Sequence, residues 1–316
     1  MATGFGTNAW LGFGEESTYL TPVAPTKFVE IMEESVAGKH NWISRPTLRS
    51  ASQNQRVRSK KSVEGGLKMN LGFEGAERLL KHAIGSLATS GVGPYTQTYS
   101  LATALPTGLT LHVNRDAASV GAGSAFQYSG CQISKLTLKQ AVEDLLTAEI
   151  DFLGGDWLNV AVATPTFPTF YQIDWEMLST FTINSVAVNV QEFEITIENQ
   201  LANDRYKLGA RTRLGLGRQG PRKISGKFTA EFDSLTTYTL YQTLSTPVTL
   251  SVFWTNGLSA GNLKTLTITA NVVLKGKDPT VKDAGPINVE FEFEAFQNAA
   301  ANDELSVVLV NSVSTP

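Results

Sequence analysis

A single cysteine, Cys131, in 316 residues excludes any intrachain disulfide and any cluster of thiolates that could hold zinc. Histidine is almost as scarce. His40, His82 and His112 are too few and too scattered to suggest a metal site, and His82 reads as lying on the wet flank of a helix. No run of about 18 apolar residues exists, so no helix is expected to cross a membrane. The opening MATGFGTNAWLGFGEES has neither the basic start nor the apolar core of a signal peptide, and folding in the cytosol is expected.

Signatures of chemistry are missing as well. There is no GxSxG elbow for a serine nucleophile. GLGRQG at 215–220 has the spacing GxGxxG, yet Pro221 and a strand from Ile224 follow it where a dinucleotide-binding fold requires a helix. Glu194, Glu198, Glu290, Glu292 and Glu294 alternate with apolar residues, as carboxylates do on the solvated face of a strand, not as a general acid and base. No enzyme activity, cofactor or metal is expected.

What the chain does contain is a copy of itself. Val63, Gly65, Leu67, Met69 and Leu71, then Leu79 and Leu80, recur without a gap as Ile224, Gly226, Phe228, Ala230 and Phe232, then Leu240 and Tyr241. Leu109, Leu111 and Val113 recur as Val248, Leu250 and Val252, and Ala148, Ile150 and Phe152 as Val289, Phe291 and Phe293. A solenoid repeats every 20 to 50 residues or so; half a chain is a duplicated domain. Residues 1–160 and 161–316 are therefore expected to form two similar domains, with 154–170 crossing between them and Pro165 and Pro168 stiffening the passage. Duplicated domains can occupy two positions of one ring.

Alternation at Leu67, Met69 and Leu71, at Leu109, Leu111 and Val113, at Phe193, Ile195 and Ile197, at Leu266 and Ile268, and at Val289, Phe291 and Phe293 is the period of a half-buried strand. Turn signals fall between such runs, at GVGP 91–94, TNG 255–257 and KDAGP 282–286. One short helix per copy interrupts them. Ala76, Leu79, Leu80, Ala83 and Ile84 form one apolar stripe ended by Gly85; Asp233 or Ser234 could cap a second helix carrying Leu240, Tyr241 and Leu244. The fold class that follows is mainly β: two tandem β-sandwich or barrel domains, each with a flanking short α-helix.

Charge is segregated. Residues 36–62 carry Lys39, Arg45, Arg49, Arg56, Arg58, Lys60 and Lys61 with no acid, and residues 199–223 carry Arg205, Lys207, Arg211, Arg213, Arg218, Arg222 and Lys223 against Asp204 alone. Outside these two arms, 12 basic residues face 28 acidic ones, so the body of the chain is acidic. The arms hold only Trp42 and Tyr206 as aromatics, too few for a nucleic-acid stacking platform. Docking of basic arms onto the acidic body of another copy fits better, since charge complementarity fixes register and speeds encounter.

The segments GFGEESTYLTPVAPTKFVEI, VEGGLKMNLGFEGAERLLKHAIGS, FQYSGCQISKLTL at 126–138 and FEITIENQLANDRYKLG at 193–209 resemble the tail tube proteins of long-tailed bacteriophages, and the resemblance covers nearly the whole chain. It implies a structural virion protein whose β domains close six to a ring, whose rings stack into a tube, and whose long loops reach the next ring. With two domains per chain, it implies trimeric rings of pseudo-sixfold symmetry; a true hexamer with a decorating second domain is the variant. Inter-subunit and inter-ring contacts would fall on Arg45, Arg49, Arg56, Arg58, Lys60, Lys61, Arg205, Arg211, Arg213, Arg218, Arg222 and Lys223. Implied partners are the chain itself, a tape measure protein, a tail tip or distal tail protein and a tail terminator, with DNA passing through without specific binding. The place would be the virion tail, after assembly in the host cytoplasm. The alternative from another class is a carbohydrate-binding adhesin module of a tail tip or capsid surface, with Trp10, Trp42, Trp157, Trp175 and Trp254 as candidates for a sugar platform.

Overall fold

The computed structural model describes residues 6–316 apart from 47, 50, 51, 53, 54, 117–124, 233–237, 240, 241, 243–245, 277 and 280–286. In chain order the first half contains β1 (Trp10–Glu15), β2 (Lys27–Val29), β3 (Glu33–Glu34), β4 (Ala37–Ser44), β5 (Arg56–Asn70), helix α1 (Glu77–Ile84), β6 (Gly85–Ser90), β7 (Tyr95–Leu101), β8 (Leu109–Asn114), β9 (Ala125–Ala141), β10 (Thr147–Gly154) and β11 (Asp156–Val160). The second contains β12 (Leu178–Ile183), β13 (Val186–Ala187), β14 (Val190–Glu198), β15 (Lys223–Glu231), β16 (Val248–Thr255), β17 (Thr265–Lys275), β18 (Asn288–Ala295) and β19 (Leu305–Asn311). The protein is mainly antiparallel β, as its alternating pattern requires. Leu67, Met69, Leu109, Leu111, Val113, Phe193, Ile195, Ile197, Leu266, Ile268, Val289, Phe291 and Phe293 are all buried.

Strand pairing repeats between the halves. The order β1, β8, β9, β10, β5 in the first is matched by β12, β16, β17, β18, β15 in the second, antiparallel at every step. Register repeats too: Phe152 lies opposite Gly65 and Ile150 opposite Leu67, while Phe293 lies opposite Gly226 and Phe291 opposite Phe228. The glycines are there for space. A Cβ on Gly226 would meet the Glu194 carbonyl oxygen at 2.2 Å and Phe293 Cζ at 2.3 Å; one on Gly65, whose φ is +147°, would meet the Ser35 carbonyl oxygen at 2.3 Å.

The halves meet on β9. This 17-residue strand gives one edge to β10 and then β11 along its length, and the other edge to β8 near its start and to β14 of the second half near its end, with Ile195 opposite Leu138. The stretch expected to cross between the halves thus begins with a paired strand, β11, and the unpaired passage starts only after Val160. A second junction runs the other way: β19 pairs with β17 and also with β7, so the β6–β7 hairpin extends the second half's sheet. Aromatic packing ties facing sheets together. Phe181 of β12 sits 5.6 Å from Phe193 and 5.2 Å from Phe228, ring centre to ring centre.

Helix α1 buries Leu79, Leu80, Ala83 and Ile84, and Gly85 at φ +139° follows it. His82 does not lie on a wet flank: it is buried, and its Nε2 is 3.0 Å from Glu15 Oε1, which also accepts from Lys81 Nζ at 2.6 Å. In the second half Tyr238, Thr239 and Gln242 are helical, while the expected cap at Asp233 or Ser234, the stripe residues Leu240, Tyr241 and Leu244, and the KDAGP turn lie outside the described residues. A buried ion pair, Lys264 Nζ to Glu74 Oε1 at 2.5 Å, joins the start of β17 to the segment before α1. Ser312 Oγ donates to the same carboxylate oxygen, also at 2.5 Å. Burial pushes the Glu74 carboxyl up, but the bonds from Lys264 and Ser312 outweigh it and leave the group below its ordinary range.

Gly226→Ala is expected to destabilise the chain by about 1–3 kcal/mol, because neither the Glu194 carbonyl nor the Phe293 ring has room to yield; a urea titration reads the loss. The hydrogen bond from His82, with Lys81 acting against the cost of burial, holds the Glu15 carboxyl at about 2 instead of its ordinary 4.5, while burial pulls the His82 imidazole below 6.5. Both groups bind fewer protons folded than unfolded, so both contributions are complete at neutral pH. That of His82 is lost as pH falls below about 6.5, and that of Glu15 as pH falls from about 4.5 to 2. Thermal melts should therefore move to lower temperature with acid, and Glu15→Gln should flatten the part of the curve below about pH 4.5.

Candidate assembly surfaces

The sheet that passes through the β9–β14 junction has one apolar face, turned to the core, and one polar face. Because register is continuous across the junction, polar side chains line up in rows. Lys68, Glu149, Thr137, Thr196, Ser225 and Glu294 form one row across six strands, closed at the junction by the Thr137–Thr196 hydroxyl pair at 2.9 Å. Asn70, Thr147, Lys139, Glu194, Lys227, Glu292 and Lys275 form the next, across seven. Asp151, Lys135, Glu198 and Lys223 form a third; beyond them come Glu192, Thr229 and Glu290, then Glu231 and Asn288. These rows hold nine carboxylates against six lysines, so the face is a lattice of alternating charge with a negative surplus. Lys139–Glu192 at 3.4 Å and Lys68–Glu149 at 3.6 Å are exposed pairs that set register more than they add stability.

The basic arms take two different forms. The first is the β4–β5 hairpin, which continues past the body as a two-stranded ribbon with Trp42 opposite Arg58 and Ser44 opposite Arg56. Arg45, Arg49, Arg56, Arg58 and Lys60 are exposed on it, and so are the apolar Trp42, Ile43 and Val57. The guanidinium of Arg56 stands 4.7 Å from the centre of the Trp42 ring and that of Arg58 5.7 Å, so the ribbon presents an aromatic flanked by cations. Trp42 was noted in the sequence only as an aromatic of the arm and a member of a sugar platform, and Ile43 and Val57 were not singled out, although their place inside a basic run is the available signal.

The second arm, residues 199–223, has no regular strand before Lys223 opens β15, and it lies against the base of the first. The Lys61 N–H donates to the Arg211 carbonyl at 2.8 Å, Tyr206 Oη donates to the Lys61 carbonyl at 3.0 Å, and Lys60 Nζ lies 4.6 Å from the centre of the Tyr206 ring. Not all of its cations face outward. Arg213, expected at a subunit contact, is 3% exposed and donates to the Gly154 carbonyl, Glu64 and Tyr206 Oη of its own chain. Arg218 donates to the carbonyls of Ala102 and Thr103 and to Asn199 Oδ1, and Arg222 to the Ala102 carbonyl and Asn302 Oδ1. Burial, joined for Arg218 by repulsion from Arg222, lowers the affinity of both guanidinium groups for their protons. Asn199 completes the anchor by donating to the carbonyls of Ala83, in the last turn of α1, and Ile133. Lys61 is held by Asp156 at 2.6 Å; Arg205, Arg211 and Lys223 remain exposed. The arm therefore reads as a clasp with a few outward cations. The internal anchoring was hidden from the sequence because its acceptors are backbone carbonyls about 60 to 120 residues away.

Among the described residues no three His, Cys, Asp or Glu side chains gather as a metal site, and residues 215–220 form irregular backbone leading into β15, not into a helix. Arg213→Ala would take this donor from the buried Gly154 carbonyl and leave Glu64 with only the exposed Lys39. It is expected to cost about 1–3 kcal/mol and to raise the rate of tryptic cleavage at Arg205 and Arg211, as followed by mass spectrometry.

No curated protein matches the chain. The family model described as phage tail tube protein matches residues 6–295. That match spans both halves, the continuous sheet and both arms, and the chain belongs to the phage tail tube protein family.

Proposed function

We propose that this chain is the repeating unit of a tail tube in which three copies close into a ring of pseudo-sixfold symmetry, residues 1–160 and 161–316 each supplying one tube domain. The observation that carries this reading is the single sheet running through both halves with its polar face unbroken at the junction. A chain that already joins two like units edge to edge holds the contact from which a closed ring is built, and closure removes exposed strand edges. The polar face would line the channel. Its surplus of carboxylates suits a conduit: a basic lumen would hold phosphates through counterion release, whereas this face repels them and leaves DNA free to move.

The β4–β5 ribbon is the arm best suited to reach the next ring, because its cations and the exposed Trp42 and Ile43 stand clear of the body. Acidic surface on a neighbouring ring is the complementary partner. Tube growth would begin on a tail tip or distal tail protein, run to a length set by a tape measure protein and stop at a terminator, in the host cytoplasm before incorporation into the virion. The adhesin alternative is not favoured: Trp10 and Trp254 are core residues, and the exposed Trp42 and Trp175 stand on separate elements.

Electron microscopy of the purified chain, with mass per layer from light scattering, tests the reading: three chains per layer is the expected result, and six, or a persistent monomer that binds glycans, would sink it. In the same assay Arg56→Ala combined with Arg58→Ala should leave rings intact and reduce stacking at least about tenfold, with the loss mimicked by raising salt.

A further inference from the structure

Strand β5 has two unlike ends. At the first it forms the ribbon with β4, one face of which sets the half-exposed Trp42 between Arg56 and Arg58. At the other, beside Met69 and Asn70, the surface opens into a cavity of about 170 Å³. Its lining is apolar where it is deep, with Val29 and Met69 buried, and apolar at the rim, where Met32, Phe167 and Phe170 are exposed. Phe167 and Phe170 belong to the passage between the halves. That passage is held in place by the Phe73 N–H, which donates to the Tyr171 carbonyl at 2.9 Å, and by the edge contact of Phe167 with Phe28 at 6.4 Å between ring centres. Two carboxylates line the cavity. Glu74 is already paired with Lys264, whereas Glu30 is exposed at the mouth, with the exposed Glu33 close behind it on β3.

We propose that this cavity is the socket for the Trp42 face of the ribbon of a second copy of this chain. The proposal rests on the tube reading above and names the receiving site, which that reading leaves open. Both sides match in chemistry. An indole suits a hollow of methionine and phenylalanine, and the arginines that flank it suit carboxylates at the mouth. Tryptophan and arginine seated in a concave site are the residue types that carry most of the energy of a protein–protein contact. Number matches as well. The second half repeats neither side of the contact, since its arm forms no ribbon and the passage that supplies Phe167 and Phe170 runs once per chain.

A chain cannot fill its own socket. Trp42 lies level with Arg58 and the socket with Met69, about 36 Å further along β5 at the usual rise of a strand. β5 is paired over that whole length, first with β4 and then with β10, so it cannot fold back on itself. A contact between opposite ends of one rigid element is heterologous. The copy that fills a socket leaves its own open for the next, which propagates a stack instead of closing a pair. Growth of that kind is what ring-upon-ring stacking requires.

The test uses the full-length chain, with folding of each variant checked by circular dichroism, rings by electron microscopy and stacking by light scattering. Trp42→Ala is expected to keep rings and to weaken stacking about thirtyfold, the weight of a tryptophan anchor. Glu30→Lys with Glu33→Lys, and separately Arg56→Glu with Arg58→Glu, should each weaken stacking about tenfold. All four together should restore it, because the reversed charges meet again. Full stacking by Trp42→Ala would overturn the plug. Failure of the combined variant to recover would send the ribbon elsewhere and overturn the socket, with the tube left standing. Stacking unmoved by the Glu30 and Glu33 changes would leave the cavity to some other protein, and the proposal would fall. If wild type formed no rings, the tube reading itself would fail and the contact with it.

Discussion

Edge-to-edge hydrogen bonding along β9 is the constraint on which the rest of the structure depends. One strand serves two sheets, and its register decides at once which residues of β14 face the core and which face solvent, because side chains alternate with a period of two. A slip of one residue at the junction would expose Phe193, Ile195 and Ile197 and bury Glu194 and Glu198. The core contacts of Phe193 with Phe181 and Trp254 oppose that slip from below, and the Thr137–Thr196 pair opposes it from above. The polar rows exist because the apolar packing beneath them fixes the register.

Much of this was legible in the sequence, for local reasons. Strand periodicity at Leu67, Met69 and Leu71 or at Val289, Phe291 and Phe293 needs no knowledge of partners. The internal repeat was visible because the duplication preserved the same small residue opposite the same phenylalanine, Gly65 with Phe152 and Gly226 with Phe293. What failed was long-range. His82 looked exposed because its helix position gave no hint of Glu15, 67 residues earlier, and Arg213 looked like a surface cation because its acceptors include the backbone of Gly154. The pairing of β19 with β7 had no local signal at all, since any strand of Val and Leu could have filled that slot.

The two arms illustrate how composition and placement differ. Equal numbers of basic residues suggested equal roles, yet one arm is a free ribbon and the other a clasp whose guanidinium groups are divided between solvent and carbonyl oxygens. Arginine suits the clasp because its planar fork can bond several acceptors at once, as Arg218 and Arg222 do around Ala102, and lysine could not replace it there. The hydrogen bonds that fix the clasp also fix the base of the ribbon through Lys61, so the two arms form one mechanical unit.

Cys131 has a practical consequence. Its side chain is fully buried beneath Gly154, and burial pushes its thiol well up from the ordinary range, so the thiolate that reacts with maleimides and oxidants is scarcely formed. The chain is therefore chemically silent toward thiol reagents while folded. Any cysteine introduced on its surface would be the only reactive one, and a spin or fluorescent label placed there would report from a single known position in every copy of a polymer.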